Sequence, residues 1–239
     1  MRGLLAVGIA LLTEGAAHAA TLQISPVSVN FGATTNASGL TLINPSDAAL
    51  YGQVRVFRWT QANGDDQLSP TEDLIASPPL IQVAGKANQL VRLVRRQSAP
   101  VAVEQSYRLL IDELPSPEDN NGGGVTIRLR YSVPVFIEPA LPDAQATLTW
   151  HLAHTAGHWI LSVKNTGVRH AQISGVTVYS PDGAPYIVSK GLLGYALAGA
   201  GRSWQVDLPN NAAIVNGSKI HAMINAAPSD ATVALGSAD

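Results

Sequence analysis

The chain has 239 residues, a formal net charge of −2, 13% charged residues and no cysteine. A balance this close to neutral leaves no electrostatic footprint for nucleic acid or for an anionic membrane surface. The missing cysteines exclude disulfide bracing, thiol catalysis, Cys-ligated zinc and iron–sulfur clusters.

The first element is residues 1–19. Arg2 precedes an apolar run over 4–12, and Ala17-His18-Ala19 ends the stretch with small residues at the two positions that matter for cleavage. This is the pattern of a secretory signal peptide. The run is too short to span a bilayer, which takes ~20 apolar residues. The mature chain from residue 20 then suits two domains of ~100 residues.

From there β-branched residues are frequent, Gly and Pro recur, and no segment keeps a 3.6-residue apolar period. That combination points to an all-β sandwich. Strands are predicted over 22–31, 39–44, 51–59, 80–83, 89–95, 106–114 and 125–137, with turns such as Asn44-Pro45-Ser46-Asp47 and Ala62-Asn63-Gly64-Asp65-Asp66 between them. Residues 115–124, rich in Pro, Asn and Gly, bury nothing and are expected to be a mobile loop. They feed the run Val125-Thr126-Ile127-Arg128-Leu129-Arg130-Tyr131-Ser132-Val133-Pro134-Val135, in which every odd position is apolar and no even position carries a large apolar side chain. Period 2 marks a strand with one dry and one wet face, here about twice the usual ~5–6 residues. A dry face this long exceeds what one small domain needs and is available to another chain.

Residues 139–143, with Pro139 and Pro142, read as a stiff linker. They divide a first domain at 20–138 from a second at 144–239. The second is again all-β, with strands predicted over 146–152, 159–165, 173–179, 186–189, 203–208 and 219–224.

No catalytic motif is present: no G-x-S-x-G, no H-E-x-x-H, no P-loop, and no spacing that assembles a triad. An enzyme is not expected, and neither is a cofactor. His151, His154 and His158 lie on a predicted hairpin, with His151 and His158 facing each other and His154 near the tip. Such a trio can hold zinc or copper, or stand unliganded on the surface; no metal is assigned. Arg92, Arg95, Arg96, Arg108, Arg128 and Arg130 form either a solvated sheet face paired with Glu104, Asp112 and Glu113, or in part a fork that captures a carboxylate such as a chain terminus.

Three stretches carry a resemblance. They are Ser77-Pro78-Pro79-Leu80, the run from Glu104-Gln105-Ser106-Tyr107-Arg108 to Leu114-Pro115, and the run from Arg130-Tyr131-Ser132-Val133-Pro134 to Glu138-Pro139. The chain resembles the periplasmic pilus-assembly (PapD-like) chaperones, in wording closest to the archaic, spore-coat-U-type branch. The resemblance implies two immunoglobulin-like β-sandwich domains set like a boomerang in the periplasm. It implies a seventh strand that completes pilin-like subunits by donor-strand complementation, with delivery to an outer-membrane usher. The donor side chains would be Val125, Ile127, Leu129, Tyr131 and Val133, worth on the order of 10 kcal/mol gross if all are buried. The family's two carboxylate-anchoring cations fall on Ser28 and Pro134 here, so an anchor is expected at Arg108 with Arg92 or Arg130. Glu104 matches an interdomain acidic residue, and Glu138 stands where its basic partner is expected. An unprotected apolar strand also allows the free protein to cap itself as a homodimer. A competing reading is a structural or adhesive immunoglobulin-like component of a surface fibre.

Overall fold

The computed structural model describes residues 22–116 and 127–236. The signal peptide, Val125 and most of the predicted loop at 115–124 lie outside the described residues. Within them the protein is all-β, with no helix.

The first half contains β1 (Gln23–Ser25), β2 (Val29–Phe31), β3 (Ala37–Ile43), β4 (Leu50–Ala62), β5 (Asp65–Pro70), β6 (Leu74–Ser77), β7 (Leu80–Val83), β8 (Asn88–Arg95), β9 (Gln105–Leu114) and β10 (Arg130–Ile137). A four-stranded sheet, β1-β3-β8-β6, packs on a six-stranded sheet, β2-β10-β9-β4-β5, with β7 also on β4. Alternation supplies the core: Leu40 and Leu42 from β3, Val91 and Leu93 from β8, Tyr107, Leu109 and Ile111 from β9, and Val133, Val135 and Ile137 from β10.

The stretch predicted as one strand over 22–31 is two. β1 pairs with β3 in one sheet, whereas β2 runs parallel to β10 in the other. Pro26 follows a cis bond at the break, and a proline cannot donate to a ladder. The predicted turn at 62–66 narrows to Asn63 and Gly64, with φ of 54° and 77°. This is the mirror-image two-residue turn that matches the twist of a hairpin. It continues β4 directly into β5, whose polar residues gave no strand signal. β6 was likewise not predicted.

The second half contains β11 (Leu148–Thr155), β12 (His158–Asn165), β13 (Ala171–Tyr179), β14 (Pro185–Ala196), β15 (Gly201–Val206), β16 (Lys219–Ile224) and β17 (Ala227–Leu235). They form one seven-stranded sheet, β14-β13-β16-β17-β11-β12-β15. It folds over because β17 pairs antiparallel with β16 along its first part and parallel with β11 at its end. β17 escaped prediction because its small and polar residues carry no alternation. A separate core forms around Leu152, Leu161, Val163, Ile173, Val178 and Ile220.

A third apolar cluster joins the halves: Trp59, Phe136, Tyr195 and Leu197 are all buried. The β4–β5 hairpin reaches across as well. Gln61 Nε2 donates to Tyr195 O (2.8 Å), while Leu197 N donates to Gln61 Oε1 (2.9 Å). At the hairpin tip Ser203 N donates to Gly64 O at 3.0 Å, and Arg202 binds Gly64 O and Asp65.

Candidate functional site

The described part of the alternating run divides at Tyr131. Val133 is 4% exposed and sits in the first core with Val135. Tyr131 packs against the same core. Its hydroxyl donates to Glu113 Oε1 (3.1 Å) and accepts from Leu22 N (3.0 Å). Burial first, and then the negative charge of Glu113, push this phenol up to about 12. Leu129 and Ile127 continue the row differently, at 37% and 76% exposed. The backbone still follows β9 there, since Glu113 N donates to Leu129 O at 3.0 Å. Of the five expected donor residues, Ile127 and Leu129 thus present their side chains outward. Tyr131 and Val133 turn theirs into the domain itself, because the facing sheet lies over them.

The other edge of β10 decides what the strand can do. Its parallel partner β2 covers only Val135 to Ile137. From Arg130 to Pro134 that edge has no neighbouring strand among the described residues. Beside it runs a groove of about 430 Å³, lined by Leu22, Ile24 and Val27 on one side and residues 130–133 on the other. Val27 is 77% exposed. It also lines a second cavity of about 550 Å³ between the two halves, together with Arg108, Ser132 and Pro134. The groove therefore leads into the interdomain cleft.

The arginines separate. Arg130 and Arg55 both bind Asp112, the latter at 2.7 Å. Burial of Asp112 opposes its ionisation, but the hydrogen bonds from Arg55 and Arg130 outweigh it and hold the carboxyl below its ordinary range. Arg92 lies on β8, opposite Gly39, in the other sheet. Arg108 faces the cleft on β9 opposite Pro134. It and Arg130 share a sheet face but are ~13 Å apart along the strands. The expected fork of Arg108 with Arg92 or Arg130 is therefore not assembled. Arg108 instead lies flat over Trp59 (3.6 Å from the ring centre) and within 5.4 Å of Tyr195. Burial draws its pKa down from the usual arginine value.

Glu104 and Glu138, both of the first domain, are held at the domain boundary by Arg169 and His170 of the second, which sequence reasoning missed. The Glu104 side chain is fully buried. Its Oε1 accepts from both His170 N (2.9 Å) and His170 Nδ1 (2.8 Å). Arg169 binds Glu138 and approaches Glu104 Oε2 at 3.8 Å. The His170 ring stacks on Phe136, centres 3.7 Å apart and 8° from parallel. One cation from the second domain thus serves two carboxylates of the first. Two adjacent basic residues in a charge-poor stretch were the available signal.

The histidine hairpin differs from its expectation. The turn is Ala156-Gly157, so His158 lies opposite Thr155 and His151 lies opposite Ser162. His151 and His158 are thus not cross-strand partners. His154 contacts Asn210 Oδ1 (3.2 Å) and the Trp159 ring, and His158 Nδ1 contacts Gln205 (3.2 Å).

Two immunoglobulin-like sandwiches in series, joined by an apolar and ionic seam and carrying an open strand edge that runs into the cleft between them, define a two-domain chaperone fold. The family model described as pili and flagellar-assembly chaperone, PapD N-terminal domain, matches residues 21–142, and the chain belongs to this family. Its role is not enzymatic. An uncharacterized fimbrial chaperone of Escherichia coli K12, YhcA, is 33% identical over 75 residues, which is 31% of this chain and 33% of that protein. The fold is similar to a chain of the CsuC–CsuE chaperone–tip adhesion subunit pre-assembly complex from the archaic chaperone-usher Csu pili of Acinetobacter baumannii. That likeness has a TM-score of 0.70 and 24% identity, over 91% of this chain and 100% of the other. It is also similar to a chain of the SafA pilin–SafB chaperone complex of Salmonella enterica, with a TM-score of 0.63 and 17% identity, over 91% and 98%. Among the described residues no helix is long and apolar enough to cross a membrane.

Proposed function

We propose that this protein is a periplasmic chaperone that folds and caps pilin-like subunits by lending them a strand, and hands them to an outer-membrane usher. The observation that carries this reading is the divided row. Val135, Val133 and Tyr131 complete the protein's own core, and Leu129 and Ile127 extend the same row as exposed apolar side chains next to an unpaired edge. An incomplete sandwich laid against that edge gains a backbone ladder and buries these side chains. Each large apolar side chain so buried contributes ~1.5–3 kcal/mol gross. Val125 extends the row by sequence alone.

A bound chain whose end enters the cleft meets Arg108, which supports this residue as the carboxylate anchor in place of a fork with Arg92 or Arg130. The Glu104–His170 and Arg169–Glu138 contacts suit a role in fixing the angle between domains. The exposed apolar segment next to an open edge also supports self-capping of the free protein as a dimer.

The test is co-expression in a periplasm with a secreted immunoglobulin-like pilin subunit, and native purification of wild type and Ile127→Asp. A stoichiometric complex with wild type, and a lost or degraded subunit with the variant, is the expected result. Equal recovery with both would overturn strand donation. If neither form binds a subunit and both stay folded, the fibre-component reading takes its place.

A further inference from the structure

The cleft has a second wall that the donor strand does not supply. It comes from β14. Along β13 and β14, Ser174 stands opposite Leu192 and Ile173 opposite Gly194, so Leu193 is an inserted residue. Such bulges re-aim side chains and concentrate beside functional sites. Here Leu192, Leu193 and Gly194 line the cleft with Trp204, opposite Val27 and Pro134. Gly194 has a φ of 155°, and a Cβ there would sit 2.9 Å from Trp204 Cζ2. Only a bare backbone lets the indole lie against the strand and brace the bulge. Leu192 is nonetheless 57% exposed, as Val27 is 77%.

The charges at this cleft are unequal. Arg202 is engaged by Asp65 and the Gly64 carbonyl. Arg108 lies against rings, and among the described residues no hydrogen bond ties it down; the Asp66 carboxylate, which also lines the cleft, acts on its charge through space, while Asp66 itself accepts from Trp59 Nε1 and Gln61 Nε2. A guanidinium with unused donors beneath an apolar wall is complementary to one kind of occupant, a chain end that pairs a carboxylate with an apolar side chain.

We infer that Leu192, Trp204 and Val27 form a specificity pocket, built largely by the second domain, for an apolar or aromatic side chain within the last two residues of the bound subunit. The inference rests on the strand-donation reading, since a chain laid along β10 is what brings its end here. The second domain then selects the subunit as well as supporting the first.

The test uses the purified full mature chain and short N-acetylated peptides of one alternating sequence, ending in Phe or Lys, each as the free acid and the amide. Binding is read by fluorescence anisotropy. The Phe-ending acid should bind wild type about tenfold or more tightly than the Lys-ending acid. Leu192→Asp should erase or invert that preference, with thermal stability unchanged because the side chain is exposed, and Leu192→Met should retain it. A wild type that does not discriminate, a preference that survives Leu192→Asp, or no binding of any peptide would overturn the inference. Ile127→Asp separates the two readings. If it weakens every peptide while Leu192→Asp alters none, the pocket is wrong and strand donation stands. If it leaves binding unchanged, strand donation itself fails.

Discussion

The two sandwiches finish their sheets in different ways. In the second domain one sheet folds over through β17 until its terminal strands, β14 and β15, come into contact. In the first, β2 covers only the last residues of β10 and leaves Arg130 to Pro134 unpaired. Both domains are built without cysteine and both bury a full apolar core, so the open edge does not reflect a weaker fold. It sits beside the exposed Ile127, Leu129 and Val27, whereas the second domain places its exposed Leu192 at the cleft. An uncovered edge with apolar side chains invites association, and this one runs into the cleft between the domains. One domain closes its sheet on itself, and the other leaves part of a strand edge open beside exposed apolar side chains.

This contrast can be broken by substitution, and four changes rank by their expected effect on stability. Val133→Asp places an uncompensated carboxylate in the first core and should cost about 4 kcal/mol, seen as a large drop in Tm. Glu104→Ala removes the buried acceptor of both His170 donors and should cost about 3 kcal/mol. Calorimetry should then resolve two transitions, against a single one expected for the wild type, because the seam between the domains is loosened. Tyr131→Phe deletes the hydroxyl that ties β10 to Leu22 and Glu113 and should cost about 1 kcal/mol at neutral pH. It also carries a pH signature. The folded protein holds this phenol neutral up to about 12, against an ordinary value near 10. The stabilisation is complete below pH ~10 and is lost as pH rises from there toward 12. The Tm of Tyr131→Phe should therefore fall less steeply than that of wild type over that interval. Ile127→Asp should shift stability by less than ~0.5 kcal/mol, since the side chain is in solvent. The same residue type at positions 127 and 133 would thus give opposite outcomes, one affecting subunit capture and the other folding.

Much of the fold was legible. Alternation located the strands that build the cores, and the polar, glycine-containing stretch 62–66 marked a turn, which the structure narrows to Asn63-Gly64. The strands that escaped, β5, β6 and β17, are ones whose side chains carry no useful period; pairing to a neighbour makes them strands. At the site, the row through Ile127 and Val133 was visible, but its division was not. Period 2 says which side chains share a face, and it cannot say where along the strand the facing sheet stops.

The amino-acid sequence by itself determined the all-β class, the two-part organisation and the alternating strand, because these follow from local backbone geometry and the distribution of apolar residues. Only the tertiary structure decided that Pro26 separates two sheets and that Arg108 stacks on Trp59, far from Arg92. The tertiary structure alone also brought Glu104 to His170 and a bulge in β14 to the cleft. Each of these depends on contacts between residues distant in the chain, where packing and electrostatics of the assembled fold override any local pattern.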